Sequence, residues 1–113
     1  MSNLGEKMRK AREQVVEVGG HHFTIRRPTD AQRAEWFSRD GISPLEMVRR
    51  CVIGWDLTEL DLYAGGSPAL AEFSTEVFAE YVNDMPELWG ILSEAIQTAI
   101  QTRLDALETA KKN

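Results

Sequence analysis

The sequence predicts an α+β domain that is mainly α, with an N-terminal β-hairpin followed by about four helices, the last of them long. Three observations carry this. β-Branched and aromatic residues alternate on both sides of the Gly19-Gly20 pair, Ser/Thr capping patterns recur at Thr29, Ser43 and Ser74, and apolar residues return at helical spacing from Pro86 almost to the last residue.

In the stretch VVEVGGHHFTIRRP, Val16 and Val18 alternate on one arm and Phe23 and Ile25 on the other. The two glycines between them take the positive φ angles of a two-residue hairpin turn, and the hairpin is expected to end at Pro28. The preceding residues 1–14 are polar with almost no apolar stripe, so they read as a frayed helix or a flexible arm. Residues 15–110 read as one globular domain and 111–113 as a tail.

Thr29 then caps a helix over about 30–39, with Gln32 placed to complete a capping box. This helix is expected to bury Ala34 and Phe37, with Trp36 as a further candidate, and to stop at Gly41. In SPLE, Ser43 caps a second helix, Pro44 takes its first position and Glu46 closes the box. That helix presents Leu45, Val48 and Val52, with Met47 and Cys51 beside them, before Gly54 ends it. From Trp55 to Phe73 the helical period is lost and Gly65, Gly66 and Pro68 mark a long connection, of a kind that is usually functional or mobile. Ser74 caps a third helix, TEVFAEYVND, striped by Val77, Phe78, Tyr81 and Val82. The final helix, from Pro86 to about Ala110, aligns Leu88, Leu92, Ile96, Ile100, Leu104 and Leu107 on one side. At 1.5 Å per residue it would be roughly 37 Å long, so its tail must project or pack on a neighbour.

With 113 residues, 42% of them hydrophobic and 27% charged, the chain can build one core but not two. Its only cysteine, Cys51, excludes an internal disulfide and a Cys-rich zinc site, which points to a reducing, intracellular setting. No run of residues has the length and apolarity to span a bilayer, and no secretory h-region follows the basic residues of MSNLGEKMRK, so the expectation is a soluble protein with no membrane partner. The net charge of −5 is uneven, because residues 1–50 hold ten Lys/Arg against seven Asp/Glu (+3) and residues 51–113 hold three against eleven (−8). Such a C-terminal half repels phosphate, and the expectation is no nucleic acid partner.

Nothing in the sequence assembles a catalytic group or a cofactor site, and the expectation is a non-enzyme without cofactor or metal. His21 and His22 are neighbours on a strand and point to opposite faces, so they cannot jointly hold a metal. Nucleophile-elbow, zinc-protease, P-loop and dinucleotide-binding motifs are missing. Glu76, Glu80 and Asp84 line up at i, i+4 spacing, either as a solvated face or as an acidic docking ridge. Arg26-Arg27 and Arg49-Arg50 are the residues that a rival reading, a small DNA-binding regulator, would use.

Trp55 stands at the mouth of the long connection, where Leu57, Leu60, Leu62 and Tyr63 give an irregular segment more apolar surface than a loop needs. Either this segment folds down as a lid over the core or it forms an exposed patch that partners use. Only the second alternative predicts that Trp55→Ala leaves helical circular dichroism unchanged while weakening partner binding.

The order of these features resembles the phage tail assembly chaperones of long-tailed bacteriophages and prophages. The residues that carry the resemblance are Gly54-Trp55-Asp56 at the end of an apolar helix, the connection DLTELDLYAGGSP, Phe73-Ser74 opening TEVFAEYVND, the turn MPELW into a long last helix, and FTIRRPT in the hairpin; together they span roughly residues 23–100. The resemblance implies a protein that binds the tape measure protein, keeps it soluble and helps tail tube protein polymerise around it. It also implies a protein working in the host bacterial cytoplasm and left out of the mature virion. Trp55, Leu57, Leu60, Leu62, Tyr63 and Phe73 are then the partner-binding candidates, suited to helix-in-groove contact. Ile96, Ile100, Leu104 and Leu107 are the candidates for pairing in a homo-oligomer. A structural head-tail joining component of the virion is the remaining alternative.

Overall fold

The computed structural model describes residues 3–38 and 41–112. It is an α+β fold: helix α1 (Leu4–Lys10), strands β1 (Glu13–Val18) and β2 (His21–Arg26), helices α2 (Asp30–Trp36) and α3 (Pro44–Cys51), strand β3 (Val52–Trp55), and helices α4 (Glu59–Leu62), α5 (Thr75–Asn83) and α6 (Pro86–Lys112). The three strands form one antiparallel sheet in the order β1-β2-β3.

The hairpin forms where Gly19 and Gly20 adopt φ of 58° and 84°, a backbone that L side chains rarely take, and the turn brings Val18 opposite His21. Its two-residue period puts Val16 opposite Phe23 and turns Phe23 and Ile25 into the core. The expected arm is partly regular: Asn3 caps α1 by accepting the Glu6 N–H at 2.8 Å, and β1 begins at Glu13. Residues 1 and 2 of that arm, the last predicted position of the second element (39) and residue 113 of the tail lie outside the described residues.

The capping box at Thr29 is present in full, with Gln32 Oε1 accepting the Thr29 N–H at 2.9 Å and Thr29 Oγ1 accepting the Gln32 N–H at 3.1 Å. The burial expected for α2 is corrected, however. Ala34 and Phe37 are exposed, and only Trp36 packs towards the core, beneath the Arg50 guanidinium at 5.3 Å from its ring. The helix has only two turns, and between it, α3 and α6 lies a hollow of about 510 Å³ walled by Phe37, Ile42, Met47 and Ile100.

Ser43 caps α3 as expected, but Glu46 does not close the box. Its carboxylate accepts instead from Arg50 Nε at 3.1 Å and Arg49 Nη1 at 3.2 Å, and these contacts hold its pKa below the usual carboxylate range. The helix also ends earlier than predicted. Val52 begins β3 directly, with Thr24 opposite Gly54 and Ile25 opposite Val52, so that Ile53 is the residue passed over where the register shifts.

Phe23, Ile25, Met47, Val48, Cys51, Val52, Leu57, Phe78, Val82, Leu88, Leu92 and Ile96 form the core, in which α3 packs on α5, α6 and β3. Burial pushes the Cys51 thiol up to about 12, which favours its protonated form at neutral pH. In α6 the buried apolar residues are Leu88, Leu92 and Ile96, all in the first half; the rest of its 27 residues runs on, about 40 Å in all. A radius of gyration of 15.7 Å exceeds the roughly 13 Å of a compact chain this long, as a projecting helix requires.

Candidate functional site

Residues 56–73 fold back on themselves instead of spanning open solvent. Thr58 caps α4 and bridges Leu70, while Glu59 N–H donates to Ala69 O at 3.2 Å, Leu60 N–H to Ser67 O at 2.9 Å and Ala71 N–H to Leu57 O at 2.8 Å. Gly65 has φ of +91°, and a Cβ on Gly66 would lie 2.5 Å from the Glu59 carbonyl oxygen, so this close approach needs a residue without a side chain. The Glu59 carboxylate accepts the Tyr63 hydroxyl at 2.8 Å, and this hydrogen bond, then the carboxylate's negative charge, raises the Tyr63 pKa.

The segment is held at its root by both histidines, each on a different carboxylate. His22 meets Asp56 twice, through Nδ1 at 2.7 Å and through its backbone N–H at 2.8 Å, whereas His21 Nε2 lies 3.8 Å from Asp61. The hydrogen bond to Asp56 raises the His22 pKa above its ordinary value, and the reciprocal bonds, the backbone one first, lower that of Asp56.

Beneath the segment lies an aromatic cluster. The Trp55 ring meets Phe73 edge-on at 5.1 Å between centroids, Phe78 at 6.1 Å and Tyr81 at 6.2 Å. Above it, between α4, residues 70–72 and α5, runs a shallow groove of about 540 Å³ with Leu62, Ala71 and Tyr81 as its half-buried floor. Tyr63 (57% exposed), Leu70 (73%) and Val77 (39%) stand open to solvent along it. Glu59, Glu72 and Glu80 line the same groove, and among the described residues none of the three forms an ion pair. The result is an apolar trough with an uncompensated negative rim.

The predicted partner-binding residues thus separate into three groups. Leu62 and Tyr63 line the groove, and Leu60 is exposed beside them. Trp55 and Phe73 are half-buried supports in the aromatic cluster, which is the lid alternative for Trp55. Leu57 is corrected: it is 0% exposed, a core residue that no partner can touch. Sequence reasoning missed Leu70 as a groove residue, and placed Val77 and Tyr81 only in the apolar stripe of the third predicted helix.

Of the predicted pairing residues, Ile96 is likewise corrected, since at 0% exposed it is consumed by the chain's own core. Ile100 packs half-buried against that core, Leu104 is half-buried and Leu107 is exposed. Three of the four arginines of the DNA-binding alternative are engaged by other side chains, Arg26 with Glu13 at 3.0 Å, Arg49 with Glu46 and Asn83, and Arg50 with Glu46 and Trp36, whereas the Arg27 side chain donates only to the Pro28 carbonyl and forms no ion pair among the described residues.

Among the described residues no group of three or more His, Cys, Asp or Glu is gathered closely enough to hold a metal ion, and no helix is long and apolar enough to cross a membrane. What fold and site define together is an α+β domain presenting an acid-rimmed apolar groove. No family model, curated protein or solved structure matches the chain.

Proposed function

We propose that this protein is a non-enzymatic assembly chaperone of the phage tail type, which holds an apolar stripe of a helical partner, the tape measure protein, in the groove between α4 and α5. The observation that carries this reading is the exposure of Tyr63, Leu70 and Val77 along one trough whose carboxylates form no ion pair among the described residues. An amphipathic helix seated there would bury these side chains, at about 25 cal/mol for each Å² of apolar surface removed from water. Its flanking Lys or Arg residues would meet Glu59, Glu72 and Glu80. The same negative charge opposes pairing of one groove with another, which keeps the chaperone open for its client.

In this account the protein acts in the host bacterial cytoplasm, hands its client to polymerising tail tube protein and does not enter the mature virion. The leftover apolar residues of the projecting part of α6, Leu104 and Leu107, would join copies into a homo-oligomer. The test is co-expression with a tape measure protein. The native chain should keep the client in the soluble fraction, and a chain carrying Leu70→Glu and Val77→Glu should not; equal solubility with both would overturn the proposal.

A further inference from the structure

At the opposite pole of charge, three guanidinium groups converge, and among the described residues only that of Arg103 has a carboxylate partner, Asp30. The Arg27 N–H donates to the Arg12 carbonyl at 2.9 Å, which sets the two residues side by side at the open end of the hairpin, and α6, packed on β1, brings Arg103 to them. Arg12 Nε donates to Arg27 O at 3.2 Å and Arg27 Nη1 to Pro28 O at 2.8 Å, so both spend donors on backbone carbonyls and neither forms an ion pair among the described residues. The carboxylates nearby are already committed, Glu13 to Arg26 at 3.0 Å and Asp30 to Arg103 at 3.3 Å. Burial first, then the charges of Arg103 and Arg12, lower the Arg27 pKa, while Asp30 opposes them.

Hollows of about 470 and 320 Å³ open beside these residues, and all three arginines line both. Met8, Ala11, Ala99 and Ala106 give the hollows apolar walls, and among the described residues no aromatic side chain lines either one. We propose that Arg12, Arg27 and Arg103 form a binding site for an acidic peptide segment, whose carboxylates take the free guanidinium N–H groups while its small residues lie along the hollows. A guanidinium fork matches a carboxylate with two parallel hydrogen bonds. A nucleic acid fits less well, because there is no ring on which a base could stack and because the −8 carried by residues 51–113 repels a long polyanion. This site shares no residue with the groove between α4 and α5 and stands independently of the chaperone reading.

The test is fluorescence anisotropy with a labelled peptide of alternating Glu and Ala. The native chain should bind it in a salt-sensitive manner, Arg12→Gln with Arg27→Gln should weaken binding about tenfold or more, and Arg12→Lys with Arg27→Lys should fall between, since charge persists but the fork is lost. A readout needing no variant is the NMR spectrum of the native chain, where the guanidinium signals of Arg12, Arg27 and Arg103 should shift on adding peptide. Unmoved signals, undiminished binding by the folded Gln variant, or tighter binding of a single-stranded oligonucleotide of equal charge would each overturn the proposal.

Discussion

The Trp55 indole donates its Nε1–H to the Ala71 carbonyl oxygen at 2.9 Å, tying the residue that opens the long connection to one near its close. The same ring packs edge-on against Phe73, Phe78 and Tyr81, so hydrogen bond and aromatic contacts act together to fix the floor under the groove. Trp55→Ala should therefore destabilise the fold by about 3 kcal/mol, at the lower end for a large aromatic because the ring is half-buried. Trp55→Phe, which keeps much of the ring but loses the N–H, should cost about 1 kcal/mol. Urea denaturation measures both, and an unmoved midpoint for Trp55→Ala would show that the cluster contributes nothing.

Gly66 is a second structural dependence of the groove. Because an added Cβ would sit 2.5 Å from Glu59 O, against backbone that cannot swing away as a flexible side chain would, Gly66→Ala must push residues 58–70 apart. The expected cost is about 1–3 kcal/mol, confined largely to this segment. Hydrogen exchange should quicken at Leu60 and Ala71 while the amides of α6 keep their protection.

His22 gives the attachment of the segment a pH dependence whose sign follows from the direction of its shift. Its pKa is raised in the fold, so its contribution is fully present below the unfolded value of about 6.5 and is lost as pH rises through the higher folded value. Asp56 is lowered, so its contribution is present above the unfolded carboxylate pKa and is lost as pH falls through the depressed one. The His22–Asp56 pair thus supports the fold best between those limits. An NMR titration should place the His22 pKa above 6.5, and Asp56→Asn should bring it back towards that value.

The exposed residue Leu107 separates association from folding. Leu107→Glu should change stability by no more than about 0.5 kcal/mol, as surface substitutions do. If the distal part of α6 joins copies, the same substitution should lower the sedimentation coefficient of the native chain at high concentration. A native chain that is already a monomer there would remove this part of the account.

How much of this could be read from the sequence depended on the range of the forces involved. The turn at Gly19-Gly20 and the caps at Thr29, Ser43 and Ser74 are local, set by φ preferences and by side chains reaching three residues along, and each was legible. β3 was not, because Val52, Ile53 and Trp55 follow an apolar helix without a break, and only pairing with β2 decides that they extend. The groove failed for a similar reason. Leu57 and Leu70 are both leucines in an irregular segment, yet the Thr58–Leu70 bridge sends one into the core and leaves the other in solvent. Glu46 was misread because two arginines in its own helix offered its carboxylate stronger partners than an amide at the cap.

The claim on which the functional account rests is that the trough formed by Tyr63, Leu70 and Val77 grips an apolar helical stripe flanked by cations. Calorimetric titration with a designed amphipathic helix, leucines along one face and lysines beside them, tests it most directly. The account predicts binding by the native chain with a negative heat-capacity change, and at least a tenfold loss on Val77→Asp with the melting temperature unchanged. Equal affinity for the native and Val77→Asp chains would contradict it.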